Sequence, residues 1–317
     1  MEAVVRPTIV TFRSDGQVID GEAHNADGSV TRWANAYDAE GRVVEEQWWK
    51  DDEPTSTTVH VYDGQGRLTG QVEIAADGTR RETETCSYDS SGRKTKKTFL
   101  PSLSTTNLCY GVEGSQQAYG APGASIMTTS YDEQGRPAQA IFQEANHAIV
   151  RRVTFTRDEA GRVLTESVEF GDAPSFPEAL TGTGSVPSEY RAKMATLLAE
   201  VFTNQIFSTT TYAYDSKGRV VERITRMGNL SEDRTTFQYD DRDDPIEEIH
   251  EHHSRGANLD EHGVMQATDE RSHTSHVRFE YQHDERGNWT ERIVLSRNDS
   301  ATDFRRSNLI RRAITYY

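Results

Sequence analysis

Asp63 and Arg67, and again Asp215 and Arg219, stand four residues apart in this 317-residue chain. A carboxylate beside a guanidinium can pair an acid–base group with an anion clamp, as hydrolytic chemistry requires. A second concentration of reactive types is "IHEHHSRGANLDEH", which carries His250, His252, His253 and His262, with His273, His276 and His283 downstream. On a strand, His250 and His252 would share one face and could ligate zinc together with a carboxylate. No His-Glu-x-x-His or comparable ligand spacing accompanies them, so His250, His252 and His253 are weak metal candidates in a solvated segment, and no resident metal or cofactor is expected. The third group is aromatic: Trp33, Trp48, Trp49 and Trp289 lie among Glu, Gln, Asn and Arg. Exposed rings with polar neighbours suit a sugar platform or a protein interface, although the same rings could instead fill cross-strand pairs in a thin core. Trp48 and Trp49 are adjacent, so on a strand they must face opposite sides.

The Asp and Arg belong to a repeat. Aligning an aromatic with the Gly four residues later gives Tyr37/Gly41, Tyr62/Gly66, Tyr88/Gly92, Tyr131/Gly135, Arg157/Gly161, Tyr214/Gly218, Tyr239/Asp243 and His283/Gly287, and Phe12/Gly16 keeps the same spacing. Neighbouring copies lie 25 or 26 residues apart, or 43, 57 and 44 apart where insertions intervene. Fixed-period similarity of this kind marks one supersecondary unit used many times. Asp at the first and Gly at the fourth position is type I turn chemistry, because the carboxylate accepts backbone N–H groups and Gly takes the left-handed conformation. Asp38/Gly41, Asp63/Gly66, Asp89/Gly92, Asp132/Gly135, Asp158/Gly161 and Asp215/Gly218 are therefore assigned to hairpin turns. A residue present in every unit serves what every unit needs, so the recurring Asp and Arg are read as structural. Arg is expected to lie over a neighbouring Tyr ring or to pair with a carboxylate one hairpin away.

Strands surround each turn. Before it, large residues alternate, as in Tyr212/Tyr214 and Phe237/Tyr239; after it, positions two and six beyond the Gly are apolar, as in Leu68/Val72 and Pro137/Ile141. Second turns are predicted at Ala26-Asp27-Gly28, Asp51–Pro54, Ala76-Asp77-Gly78 and Met227-Gly228-Asn229. The fold class is thus all-β, a long antiparallel meander of hairpins of about 18–20 strands, curling into a spiral, a crescent or a wide barrel. It is read as one domain over 1–317 with insertions at about 100–126, 171–207 and 252–272. Within the second insertion, Ser188 as N-cap and Tyr190, Met194, Leu197, Leu198, Val201 and Phe202 at helical spacing predict a helix over 188–206 that plugs or caps the concave side.

Composition narrows the function. The chain is 34% hydrophobic and 27% charged with a formal net charge of −16, which disfavours nucleic acid and anionic membrane surfaces as partners. Glu222/Arg223 and Glu291/Arg292 put charge on both faces of a strand, leaving no band for lipid. Cys86 and Cys109 permit one bridge or two thiols. There is no nucleophile elbow and no phosphate loop, and Glu45/Glu46 and Glu247/Glu248 alternate across strands rather than converge. An enzyme is not expected.

Tyr-Asp-x-x-Gly-Arg at a period of about 25, followed by apolar positions, resembles the YD repeats of the rearrangement-hotspot (Rhs) proteins and of teneurins, over residues 8 to 317 apart from the insertions. The resemblance implies spiral β-sheets that wrap into shells, in some relatives around a toxin domain, and recognition at cell surfaces in others. This chain is shorter than the large shells, shows no self-cleaving segment or toxin domain, and is similar to a small stand-alone member. The expected function is non-enzymatic binding of a protein or carbohydrate ligand. A container for a toxin or client polypeptide is the alternative, and a hydrolase built from the insertions the third reading. Secretion or surface display is expected if a leader was removed, and, if the sheet is open, a homodimer through strands near Thr8–Phe12 and Arg312–Tyr317.

Overall fold

The computed structural model describes residues 8–25, 27–100, 109–111, 118–121, 123–171, 206–228, 231–259, 265–299 and 301–312. The predicted helix over 188–206, with Tyr190, Met194, Leu197, Leu198, Val201 and Phe202, lies outside the described residues. Within them the chain is all-β. The strands are β1 (Thr8–Phe12), β2 (Val18–His24), β3 (Val30–Tyr37), β4 (Val43–Lys50), β5 (Glu53–Tyr62), β6 (Leu68–Ala75), β7 (Arg80–Tyr88), β8 (Lys94–Phe99), β9 (Cys109–Gly111) and β10 (Ala118–Gly120). They continue as β11 (Ile126–Tyr131), β12 (Pro137–Gln143), β13 (Ile149–Arg157), β14 (Val163–Phe170), β15 (Ile206–Tyr214), β16 (Val220–Met227), β17 (Ser231–Tyr239), β18 (Pro245–Leu259), β19 (Met265–His283), β20 (Trp289–Asn298) and β21 (Arg305–Arg311). Nineteen are antiparallel strands of the repeat meander, and β9 and β10 form a separate two-stranded ribbon.

Two compact units divide the chain. The first comprises Met1–Thr85, Gln238–Glu248 and Ser275–Tyr317, and the second Cys86–Phe237 and Ile249–Thr274. In the first, consecutive strands from β1 to β7 pair antiparallel, as do β19 with β20 and β20 with β21. The Arg312 guanidinium lies 5.7 Å from the Phe12 ring centroid, so the ends of the described chain approach each other there. In the second, β8 pairs with β11, and β11 to β17 follow one another.

Turn chemistry explains the repeat. At the β5–β6 hairpin the Gly66 N–H donates to the Asp63 carbonyl at 2.9 Å, and Gly66 sits at φ 77°. Asp63 Oδ1 accepts the Gln65 and Arg67 N–H groups at 2.9 and 3.0 Å, while Arg67 Nε reaches Oδ2 at 2.7 Å. Asp38, Asp89, Asp132, Asp158 and Asp215 repeat the pattern with Arg42, Arg93, Arg136, Arg162 and Arg219. The glycines assigned to these turns behave as expected: Gly41, Gly92, Gly135, Gly161 and Gly218 lie at φ 79°, 81°, 77°, 85° and 83°. Each donates its N–H to the carbonyl of the Asp three residues before it, at 2.9–3.1 Å. Where Gly is replaced, Asp243 takes φ 67°, a region that Asp tolerates better than most residues. The second set of turns also appears, with positive φ at Gly28, Asp51, Asp52, Gly78 and Gly228.

Successive hairpins are tied by the same side chains. Arg42 lies over the Tyr62 ring at 4.9 Å, and the Tyr62 hydroxyl donates to the Val43 carbonyl at 2.7 Å. Arg93 with Tyr131 and Arg162 with Tyr214 do likewise, both at 4.8 Å. The Arg thus pairs with its own turn Asp rather than with a carboxylate one hairpin away, and spends its face on the next unit's Tyr. Where Arg157 stands in the Tyr position, its Nη2 donates to the Pro137 carbonyl at 3.0 Å, replacing the phenol. Where Asp244 stands in the Arg position, the next unit carries His283, with Nε2 at 2.9 Å from the carboxylate.

The ladder also corrects the apolar pattern. Register shifts fall at the Tyr position of the hairpins, between Val61 and Tyr62 and between Ser130 and Tyr131 for example. A bulge turns the following strand over by one residue. On β12 the buried residues are therefore Ala140 and Phe142, and Ile141 between them is half-buried. The core lies in the second unit: Met127, Ala140, Phe142, Val150, Val153, Phe155, Val163, Val168 and Tyr212 pack together across β11 to β15.

Candidate functional site

The first candidate is a tryptophan patch on the first unit. Register sets Gly21 of β2, Trp33 of β3, Trp48 of β4 and Ser56 of β5 in one row. Trp33 and Trp48 stack at 5.8 Å between centroids and 29° between planes. Gly21 makes room for this, because a Cβ there would fall 2.1 Å from the Trp33 ring. Trp48 remains 37% exposed. One row away on the same face are Asn35, Glu46 and Thr58, with Asn35 Nδ2 donating to the Val18 carbonyl at 3.0 Å. Glu46 Oε1 lies 3.3 Å from His60 Nε2. The result is an aromatic plate beside hydrogen-bonding groups.

Trp49 faces the other way, as adjacency requires, opposite Arg32. It lines a groove of about 480 Å³ with Ile9, Asp20, Glu22, Arg32 and Asp52, to which Gly21, Trp33 and Ala34 also contribute. Arg32 is spent there on Glu22 at 2.7 Å and on Asp52. Trp289 is in neither place; on β20 it packs under Arg312 at 4.0 Å and Arg292 at 5.5 Å, edge-on to Tyr281. Structure therefore stacks Trp33 on Trp48, turns Trp49 to the other face of β4, and sets Trp289 on β20.

The second candidate is polar and belongs to the second unit. The segment read as a His-rich loop forms strands: His250, His252 and His253 lie on β18, and His273 and His276 on β19. Strand pairing within this long antiparallel ladder overrides the polarity that suggested a solvated loop. His252 Nδ1 is 2.5 Å from Asp233 Oδ1, and His250 Nδ1 is 3.2 Å from the Thr235 hydroxyl, so these two imidazoles share the face of β18 toward β17. His253 points elsewhere, to the Ser272 hydroxyl at 2.9 Å. Thr235 pairs with Arg223 of β16, and Asp233 with Thr225. The strip continues through the buried Thr210, whose hydroxyl meets Thr225 at 2.9 Å, to Glu166, which is 1% exposed and accepts from the Tyr212 hydroxyl at 3.2 Å. Among the described residues no group of three or more His, Cys, Asp or Glu converges as metal ligands. By sequence Arg223 figured only as strand charge beside Glu222, and Asp233 and Thr225 not at all; the signal was the i, i+2 spacing shared by three consecutive strands, readable only once register is known.

Asp63 and Arg67 are spent on each other at the end of the β5–β6 hairpin. The Arg67 backbone N–H, then its side chain, hold the Asp63 carboxyl below the usual carboxylate range. Asp215 is lowered by Arg219 in the same order. Burial pushes the Tyr62 and Tyr214 phenols up, as expected of rings packed between hairpins. The turn positions from Asp38/Gly41 to Asp215/Gly218 stand at hairpin ends, between strands, and belong to neither candidate, since the tryptophan plate and the Arg223 strip both lie within strands.

No family model matches the chain, and no curated protein does. Solved structures give distant likenesses. One is to the crystal structure of TcdB2-TccC3-Cdc42, at 11% identity and TM-score 0.39, covering 92% of this chain and 17% of that one. Another is to a porin-like protein from Bacteroides uniformis, at 11% identity and TM-score 0.35, covering 92% of both chains. This chain thus spans under a fifth of the first of these.

Proposed function

We propose that this protein is a non-catalytic recognition module of the YD-repeat type, which binds a carbohydrate or protein ligand through the Trp33–Trp48 plate. The observation that carries the reading is Trp48, held 37% exposed by a stack on Trp33 and a glycine cradle, with Asn35, Glu46 and Thr58 beside it. Ring faces of this kind contribute area and polarisable contact to C–H-rich sugar faces or apolar side chains, and the flanking amide, carboxylate and hydroxyl direct hydrogen bonds. The recurring Asp and Arg support a non-catalytic reading, since turn closure already uses them in six hairpins, and Arg42, Arg93 and Arg162 also stack on a Tyr.

Screening the whole chain on glycan and peptide arrays tests this. Wild type should retain a ligand that Trp48→Ala loses, with thermal stability little changed. Retention of every ligand by Trp48→Ala and Trp33→Ala would overturn the assignment.

A further inference from the structure

We propose that the array on β16, β17 and β18 is an oxyanion-binding site that takes a phosphate or carboxylate group against Arg223. Three strands contribute two residues each to one face: Arg223 and Thr225, Thr235 and Asp233, His250 and His252. Together with Arg234 and Glu251, which lie 4.0 Å apart as an ion pair, they line a cavity of about 320 Å³ within the second unit. Its floor is set by Thr235, which is 4% exposed.

Arg223 is the key group. Its only hydrogen bond among the described residues is a long one, from Nη2 to the Thr235 hydroxyl at 3.4 Å. A guanidinium has five N–H donors in a planar fork, so most of the fork of Arg223, which lines the cavity, has no protein partner among the described residues. The turn arginines, by contrast, each hold a carboxylate at 2.6–2.8 Å. Acids outnumber bases in the chain, 51 to 35, so lack of carboxylates is not the cause. Strand alternation is: Glu222 faces the opposite side of β16 and is taken by Arg234, and Asp233 is taken by His252. A half-buried guanidinium without an anion is costly, and an oxyanion is the ligand whose geometry its fork matches in two parallel bonds.

The neighbours complete the chemistry. Asp233 engages His252 at Nδ1 and thereby orients the ring, while the Thr225 and Thr235 hydroxyls can donate or accept. A metal ion is the competing occupant for two imidazoles and a carboxylate. Arg223 disfavours it, because a fixed positive charge in the same cavity repels a cation.

The test is titration of the whole chain with inorganic phosphate and, separately, with glucuronate at constant ionic strength, followed by calorimetry or amide chemical shifts. Saturable binding of either anion is expected, and which one binds identifies the source. Arg223→Gln should weaken it at least about tenfold, while Arg226→Gln, which removes the same charge from the opposite face of β16 outside the cavity, should leave it unchanged. If Arg223→Gln does not fold, Thr225→Val and His252→Gln should each weaken binding severalfold. No saturable binding by either anion, or binding reduced equally by Arg223→Gln and Arg226→Gln, would overturn the proposal.

Discussion

The two units are built from one hairpin and differ in what its tyrosine-bearing face carries. In both, Asp closes the turn, Gly or Asp takes positive φ, and Arg is clamped between its own Asp and the next Tyr. Every buried hydrophobic side chain among the described residues nevertheless belongs to the second unit. There the face that bears the tyrosines carries Met127, Phe142, Val153, Phe155 and Val168; in the first unit the corresponding face carries Trp33, Trp48, Glu46, Thr58, His60 and Gln71. Burying a Val or Phe contributes roughly 1.5–3 kcal/mol, so the second unit gains packing energy that the first lacks. The lesson is that this repeat sets backbone and register through its turns and leaves the intervening face free to become core or surface.

Substitutions can break that contrast, and the largest effect belongs to the packed unit. Phe142→Ala, at a side chain with no exposed surface, should cost about 3–5 kcal/mol, seen as a lower urea midpoint. Trp48→Ala should cost about 1 kcal/mol or less. Equal losses would erase the distinction. Next is Tyr212→Phe, which removes the hydroxyl donated to the buried Glu166 carboxylate; about 1–3 kcal/mol should be lost, read by the same titration.

A turn substitution should cost less. Gly66→Ala places a Cβ at φ 77° and 2.6 Å from Arg42 Nη1. Expected is a loss of about 1–2 kcal/mol, with Arg42 displaced from the Tyr62 ring, visible as a shift of the Tyr62 ring resonances.

The smallest predicted effect is electrostatic and common to both units. The carboxyls of Asp63, Asp89, Asp132 and Asp215 are lowered, first by the backbone N–H of the Arg four residues on. A folded value below the unfolded one contributes stability that is present above about pH 4 and lost as pH falls through the folded values. Acid should therefore loosen both units. All four tryptophans lie in the first, so their fluorescence reports it alone, while amide signals of β12 to β14 report the second. Acid loss confined to one unit would show that the shared turns do not govern both.

Much of this was legible in the sequence. Asp-x-x-Gly is local chemistry, so the hairpin turns and the antiparallel meander could be read directly. Phe142 could not, because a bulge at Tyr131 shifts the core by one residue and makes Ile141 look like the inward position. That Trp48 and Trp49 face opposite sides follows from alternation alone; that Trp33 meets Trp48 required the β3–β4 register. Arg223 was hidden for the same reason, since its neighbours Thr235 and His250 come from strands 12 residues or more away in sequence.

Native-state hydrogen exchange on the whole chain tests the central contrast most directly. The slowest amides should lie in the second unit, at Ala140–Phe142 and Val153–Phe155, with those of Arg32–Ala34 and Gln47–Trp49 opening at distinctly lower free energy. Equal protection in the two units, or the slowest exchange around Trp33 and Trp48, would contradict it.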